Sequence, residues 1–169
     1  FLSYLERKGM ANAAGARAVR APKQPKSLPK PLAIDQALSV VDEAGLFADE
    51  PWIAARNTAV LGLLYGCGLR ISEALALTPA MIAGNPRTLV VKGKGGKTRM
   101  VPLLPLVLDG VLRYQAMCPF HADADEPLFF GAKGGALNPG IIQKDMARLR
   151  AALGLPDSAT PHALRHSFA

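Results

Sequence analysis

The chain has 169 residues, half of them hydrophobic, which suits one globular domain with a real core and argues against a disordered segment. Its longest apolar run, Ala59 to Leu69, is far shorter than the roughly 20 residues of a membrane span, and no signal-peptide pattern opens the chain, so a membrane role is not expected. Two cysteines, Cys67 and Cys118, are too few for a disulfide framework and point to a reducing, cytoplasmic setting. The formal net charge of +7 is unevenly placed: seven of the 20 Lys and Arg and only one acid, Glu6, fall in residues 1–30. A basic, Pro-rich segment of this kind suits either a path along a polyanion or a solvated linker.

The chain opens on Phe1 rather than Met, which implies a preceding segment. Phe1, Leu2 and Leu5 have helical spacing and Gly9 closes the pattern, so residues 1–20 read as the end of an N-terminal domain. APKQPKSLPKP, residues 21–31, holds four prolines among lysines and reads as an extended linker, with the main domain at 32–169. There the pattern predicts a helix over Ile34–Ala44 with Asp35 as N-cap, a buried helix over Pro51–Gly66, and a short helix over Ser72–Leu77. Thr88 to Leu103 predicts a β-hairpin turning at Gly95-Gly96. Next come a helix over Leu106–Met117, an acidic turn at Asp123–Glu126 and a short strand over Leu128–Phe130. Asn138-Pro139 opens a helix that Gly154 stops, and Thr160-Pro161 opens a last one that the chain end at Ala169 interrupts. The sum is a mainly α domain with one small antiparallel sheet, an α+β fold.

Three segments carry candidate chemistry. In TPHALRHSFA, His162 and Arg165 are three apart, share a face near a helix start, and could make an anion site; taken alone, the segment reads better as a capped helix with a surface charge. His162 and His166 are four apart, yet no acidic or thiol partner has zinc-motif spacing, so no metal is assigned. In GCGLRISEAL, Arg70 follows a glycine pair in apolar surroundings and needs a partner, for which Glu73 is placed; a structural ion pair and a phosphate clamp both fit. In VVKGKGGKTRMVPL, Lys92, Lys94, Lys97 and Arg99 have no acid among them. GGKT is not a nucleotide-binding loop, because Val91 stands where that pattern needs glycine and a strand, not a helix, follows.

Taken in order, GLR-x-SE, GKG-x-K-x-R-x-VPL and PH-x-LRH-x-FA resemble the signature of the tyrosine recombinase (phage integrase) family, most like its bacterial XerC-type members, over Leu28 to Ala169. The resemblance implies the integrase catalytic-domain fold, incomplete at its C-terminus, preceded by the end of a core-binding domain and its linker. It implies that Arg70 and Arg165 grip the scissile phosphate, that His162 positions it and manages protons, and that Lys94 protonates the departing 5′-oxygen. Glu73 and His166 are supporting residues, and Lys92, Lys97 and Arg99 contact DNA. Attack on a phosphodiester builds charge that fixed guanidinium groups stabilise without metal or cofactor. The family's second His or Trp and its nucleophilic Tyr would lie beyond Ala169, since Tyr4, Tyr65 and Tyr114 stand in the wrong segments, so the chain alone is expected to be inactive. The implied partners are a double-stranded recombination site, a sister (XerD-like) recombinase in a tetramer, and a septal DNA translocase, for chromosome dimer resolution. A phage or mobile-element integrase, or a catalytically incomplete DNA-binding fragment, are the other readings the motifs allow.

Overall fold

A computed structural model describes residues 4, 7–9, 31–93 and 96–168. Residues 21–30 of the expected linker, most of the expected N-terminal segment, and Lys94 and Gly95 lie outside the described residues.

The N-cap of helix α1 (Ile34–Asp42) is Ala33, not Asp35. The Ala33 N–H donates to Gln36 Oε1 at 3.2 Å, so the glutamine three residues on caps the helix and Asp35 falls inside its first turn. Helix α2 (Pro51–Gly66) is the centre of the domain. Val60, Leu63 and Leu64 are fully enclosed, and Trp52, Ala59 and Leu61 are also buried, because a helix apolar on nearly every face must be covered all round. It packs on α1, on the short α3 (Ile71–Leu75), on α5 (Pro105–Met117) and on α7 (Pro161–His166). Gly66 lets α5 approach: a Cβ there would meet Val107 Cγ2 at 2.6 Å.

A four-residue helix, α4 (Pro79–Ile82), follows α3 and was not legible in the sequence. The hairpin pairs β1 (Thr88–Lys92) with β2 (Thr98–Pro102) antiparallel, with Leu89 opposite Val101 and Val91 opposite Arg99. Leu89, Val91 and Val101 are buried, while Val90 and Met100 are 57% and 70% exposed.

The strand expected at Leu128–Phe130 is not formed; only an isolated bridge joins Phe130 to Ala136. Its backbone groups are satisfied elsewhere. The Leu128 N–H donates to Leu77 O at 2.8 Å, the Phe130 N–H donates to the Tyr114 hydroxyl at 2.9 Å, and that hydroxyl donates to Leu128 O at 3.2 Å. Helix α6 (Pro139–Ala152) is capped by Asn138, whose side chain accepts from the Gly140 N–H, and Gly154 follows it with φ +63°. Thr160 caps α7 through its hydroxyl, which accepts from the Ala163 N–H at 3.1 Å. That helix ends at His166 with Ser167 as its C-cap, rather than running on to Ala169. The Ser167 hydroxyl accepts from the Leu32 N–H at 2.7 Å and so joins the two ends of the domain.

Candidate active site

The mouth of α2 sets the first cation. Gly68 takes φ +60°, and a Cβ there would lie 2.8 Å from a ring carbon of Phe168, so both the turn and the packing require glycine. Phe168 is 40% exposed; it lies past the end of α7 against Gly68 rather than on one apolar helix face with the buried Leu164. The turn at Gly68 delivers Arg70 to the N-cap of α3.

Burial falls on the other member of the expected Arg70–Glu73 pair. Glu73 has a side chain only 4% exposed, whereas that of Arg70 is 45% exposed. The Glu73 carboxylate accepts four hydrogen bonds: from the Arg70 N–H (2.7 Å), Arg70 Nη1 (2.8 Å), Arg99 Nη1 (2.6 Å) and Arg99 Nη2 (2.8 Å). Burial pushes the carboxyl upward, but the hydrogen bonds from Arg99 and from the Arg70 backbone and guanidinium together outweigh it and hold the group at about 2. Arg99, read from sequence among the DNA contacts, thus spends both terminal nitrogens on Glu73.

Arg165 reaches the same place from α7, and its Nε donates to the Gly68 carbonyl at 2.9 Å. This leaves its other guanidinium nitrogens for the adjoining space. A cavity of about 470 Å³ is lined by Arg70, His162, Arg165 and Arg150, among others. A second, of about 250 Å³, is lined by Arg70, Gly93, Lys97, Thr98, Arg99 and Arg165. Arg70 and Arg165 therefore face both. Three of the expected catalytic residues, Arg70, His162 and Arg165, come together; Lys97 joins the second cavity, and Lys92 is exposed on β1 outside both linings. Sequence reasoning missed Arg150 in the first cavity, whose guanidinium also bonds Asp157 on the loop after α6.

The electrostatics are those of a site short of negative charge. Three guanidinium groups, Arg70, Arg99 and Arg165, meet one buried carboxylate, Glu73. Burial, then Arg70 and Arg99, push the Arg165 guanidinium down, with Glu73 opposing. Burial, His166, Arg165 and Arg70 push the His162 imidazole below its ordinary 6.5. The His162 and His166 Nε2 atoms stand 3.0 Å apart with their rings edge to face, so one imidazole donates to the other. An anion in the cavity would relieve this crowding. Tyr114 and Tyr65 are taken up by the fold: the Tyr114 hydroxyl is buried between Leu128, Phe130 and Cys118, and Tyr65 packs against the core.

Residues 35–169 match the model of the phage integrase family. The chain belongs to this family. Among curated phage integrase relatives it is 64% identical over 169 residues to a protein of Rhizobium meliloti (strain 1021) named tyrosine recombinase XerC, covering 100% of this chain and 53% of that protein. It is 63% identical to the protein of the same name from Brucella suis biovar 1 (strain 1330), covering 99% and 54%. The chain thus spans about half the length of these relatives. Among solved structures, XerH site-specific recombinase bound to palindromic difH substrate, a post-cleavage complex, matches with TM-score 0.68 and 26% identity over 88% of this chain and 43% of that one. XerA recombinase matches with TM-score 0.67 and 23% identity over 88% and 50%, which shows the shared fold. No helix among the described residues is long and apolar enough to cross a membrane.

Proposed function

We propose that this chain forms the phosphate-binding part of a tyrosine-type, XerC-like site-specific recombinase that cuts and rejoins DNA strands through a 3′-phosphotyrosine. One observation carries the reading: Arg70, His162 and Arg165, far apart along the polypeptide, line one cavity in which positive charge exceeds negative. Arg70 and Arg165 bind the non-bridging oxygens of the scissile phosphate. His162, steadied by His166, positions that phosphate and handles protons. Lys94 gives its proton to the 5′-oxygen as the phosphorus–oxygen bond to it breaks and the bond to tyrosine forms. Glu73 holds Arg70, and Lys92 and Lys97 meet the DNA backbone. The family pattern puts the nucleophilic tyrosine past Ala169, and residues 1–20 and 21–31 are assigned to the end of a core-binding domain and its basic linker.

Identity of 64% and 63% to proteins named XerC favours that role over a phage or mobile-element integrase, for which a structural neighbour such as the Tn1549 transposon integrase, at 22% identity, shows the fold alone. The partners are then a double-stranded recombination site, as bound by XerH, a sister recombinase completing a tetramer, and a septal translocase, with the reaction in the cytoplasm. In the protein containing this chain, R165A should slow strand cleavage by roughly 100-fold or more, the scale of losing one charge-stabilising contact. Duplex affinity should change little, because many other cations hold the backbone. Wild-type cleavage by R165A would remove the residue from the mechanism. Absence of any salt-sensitive duplex binding by the wild type would overturn the DNA role altogether.

A further inference from the structure

We infer that Arg99 is a positioning residue of this site: by gripping Glu73 it locks the β1–β2 hairpin onto Arg70. The inference deepens the recombinase reading and rests on it. It begins from an inversion in the hairpin. Residues alternate faces along a strand, so Arg99 shares the inward row with Val101, across from Val91 and Leu89, which are buried. The outward row instead carries Val90 and Met100, both more than half exposed. An arginine on the core side of a two-stranded sheet, with apolar side chains facing out, is the reverse of what burial alone would select.

Glu73 accounts for the inversion. Arg99 bonds one carboxylate oxygen with Nη1 and the other with Nη2, the planar two-point match that lysine cannot make. The same carboxylate takes the Arg70 N–H and Nη1, so its acceptor positions are filled from two directions. A second observation places the hairpin's backbone against the same cluster. A Cβ on Gly93 would lie 3.7 Å from Arg99 Nη1 and 3.9 Å from Arg70 Nη1, while the Gly93 N–H closes the loop onto Lys97 O at 2.7 Å. The hairpin backbone at Gly93 thus lies against both Arg99 and Arg70, the latter proposed to hold the phosphate. A two-stranded hairpin has little stability of its own, and small misplacements of a reacting group are costly in rate. The Arg99–Glu73 clamp ties the β1–β2 hairpin to Arg70.

The test measures single-turnover cleavage of a duplex recombination site by the protein containing this chain, at saturating DNA, alongside DNA affinity and its salt dependence. For R99A we expect a rate about 10- to 100-fold lower with affinity nearly unchanged, and partial recovery in R99K. The double variant R99A/E73A should be no slower than the slower single variant, because both act through one contact. Three results overturn the inference: an affinity loss at unchanged rate with a salt slope smaller by about one, which marks a direct phosphate contact; rate losses that multiply in the double variant; or a lowered melting temperature with both rate and affinity unchanged. Should R99A fail to fold, R99K is read by the same criteria. A wild-type protein that does not cleave at all would instead sink the recombinase reading, a result separable from all of these.

Discussion

Two arginine centres in this domain use opposite designs. Around Glu73 the carboxylate is buried and the side chains of Arg70 and Arg99 remain 45% and 34% exposed and line an adjoining cavity. Around Arg56 it is the arginine that is buried, at 2% exposure. Its Nε and Nη2 donate to Asn57 Oδ1 at 3.1 and 2.8 Å, its Nη1 donates to Phe130 O at 3.0 Å, and its guanidinium lies 5.8 Å from the Trp52 ring centroid. Asn57 passes the contact on, donating from Nδ2 to Asp145 on α6 at 3.0 Å. Burial comes first among the influences that push the Arg56 guanidinium down, with Asp145 opposing it. The first centre keeps cationic surface available to an anion; the second turns all three of its nitrogens inward to join α2, the loop at Phe130 and, through Asn57, α6. The sign of the buried group therefore separates a binding arginine from a structural one.

Replacing each arginine by methionine should break the symmetry. R56M leaves the Phe130 carbonyl and the Asn57 amide short of buried donors, and a loss of about 3 kcal/mol is expected. R70M leaves Glu73 still held by Arg99 and takes away a largely exposed partner, so a loss under about 1 kcal/mol is expected. Urea unfolding of the protein containing this chain, with unchanged slope, measures both. Equal losses would dissolve the distinction drawn between the centres.

What the sequence revealed follows the range of the interactions involved. Caps at Asn138 and Thr160, the prolines that start α2, α6 and α7, and the glycine-closed hairpin were legible because the signal and the structure lie within a few residues. The Arg70–Glu73 pair was legible for the same reason, though its burial was expected on the wrong member. Arg99 reaching Glu73 across 26 positions was not, since nothing local marks a strand arginine as inward-facing. Nor was Arg56, which in sequence is one polar position in an apolar helix. The expected strand at Leu128–Phe130 failed because Tyr114, Leu77 and Arg56 took its backbone groups, all of them distant in the chain. Asp35 lost the cap of α1 to a competitor one residue away, Gln36, which reaches back to Ala33.

The two centres should also part on acidification. Glu73 is held at about 2 in the folded protein against an ordinary 4.5. A depressed carboxyl contributes stability that is complete above the ordinary value and is lost as pH falls toward the folded one. Stability should therefore drop between about pH 4.5 and 2, by at most about 3 kcal/mol from this group, and E73Q should remove that part of the slope. The Arg56 guanidinium adds no such dependence, because arginine stays charged throughout. An unaltered acid limb in E73Q, measured by unfolding at a series of pH values, would show that the arginine clamp does not set the Glu73 carboxyl.

The smallest effect concerns His162, where the excess of cations can be read without any DNA. Burial, His166, Arg165 and Arg70 all push its imidazole below 6.5, so its NMR titration midpoint should fall under that value. Replacing His166 by asparagine removes one of the neighbours that push the imidazole down and should raise the midpoint, leaving it still depressed by burial and by the two arginines. Inorganic phosphate should raise it in the wild type, because an anion between Arg70 and Arg165 favours the imidazolium. Neither H166N nor phosphate should move the Arg56 centre, whose guanidinium is buried and bonded to Asn57 and Phe130. A His162 midpoint indifferent to phosphate at concentrations that saturate the cavity would mean that the arginines beside it do not hold an anion there.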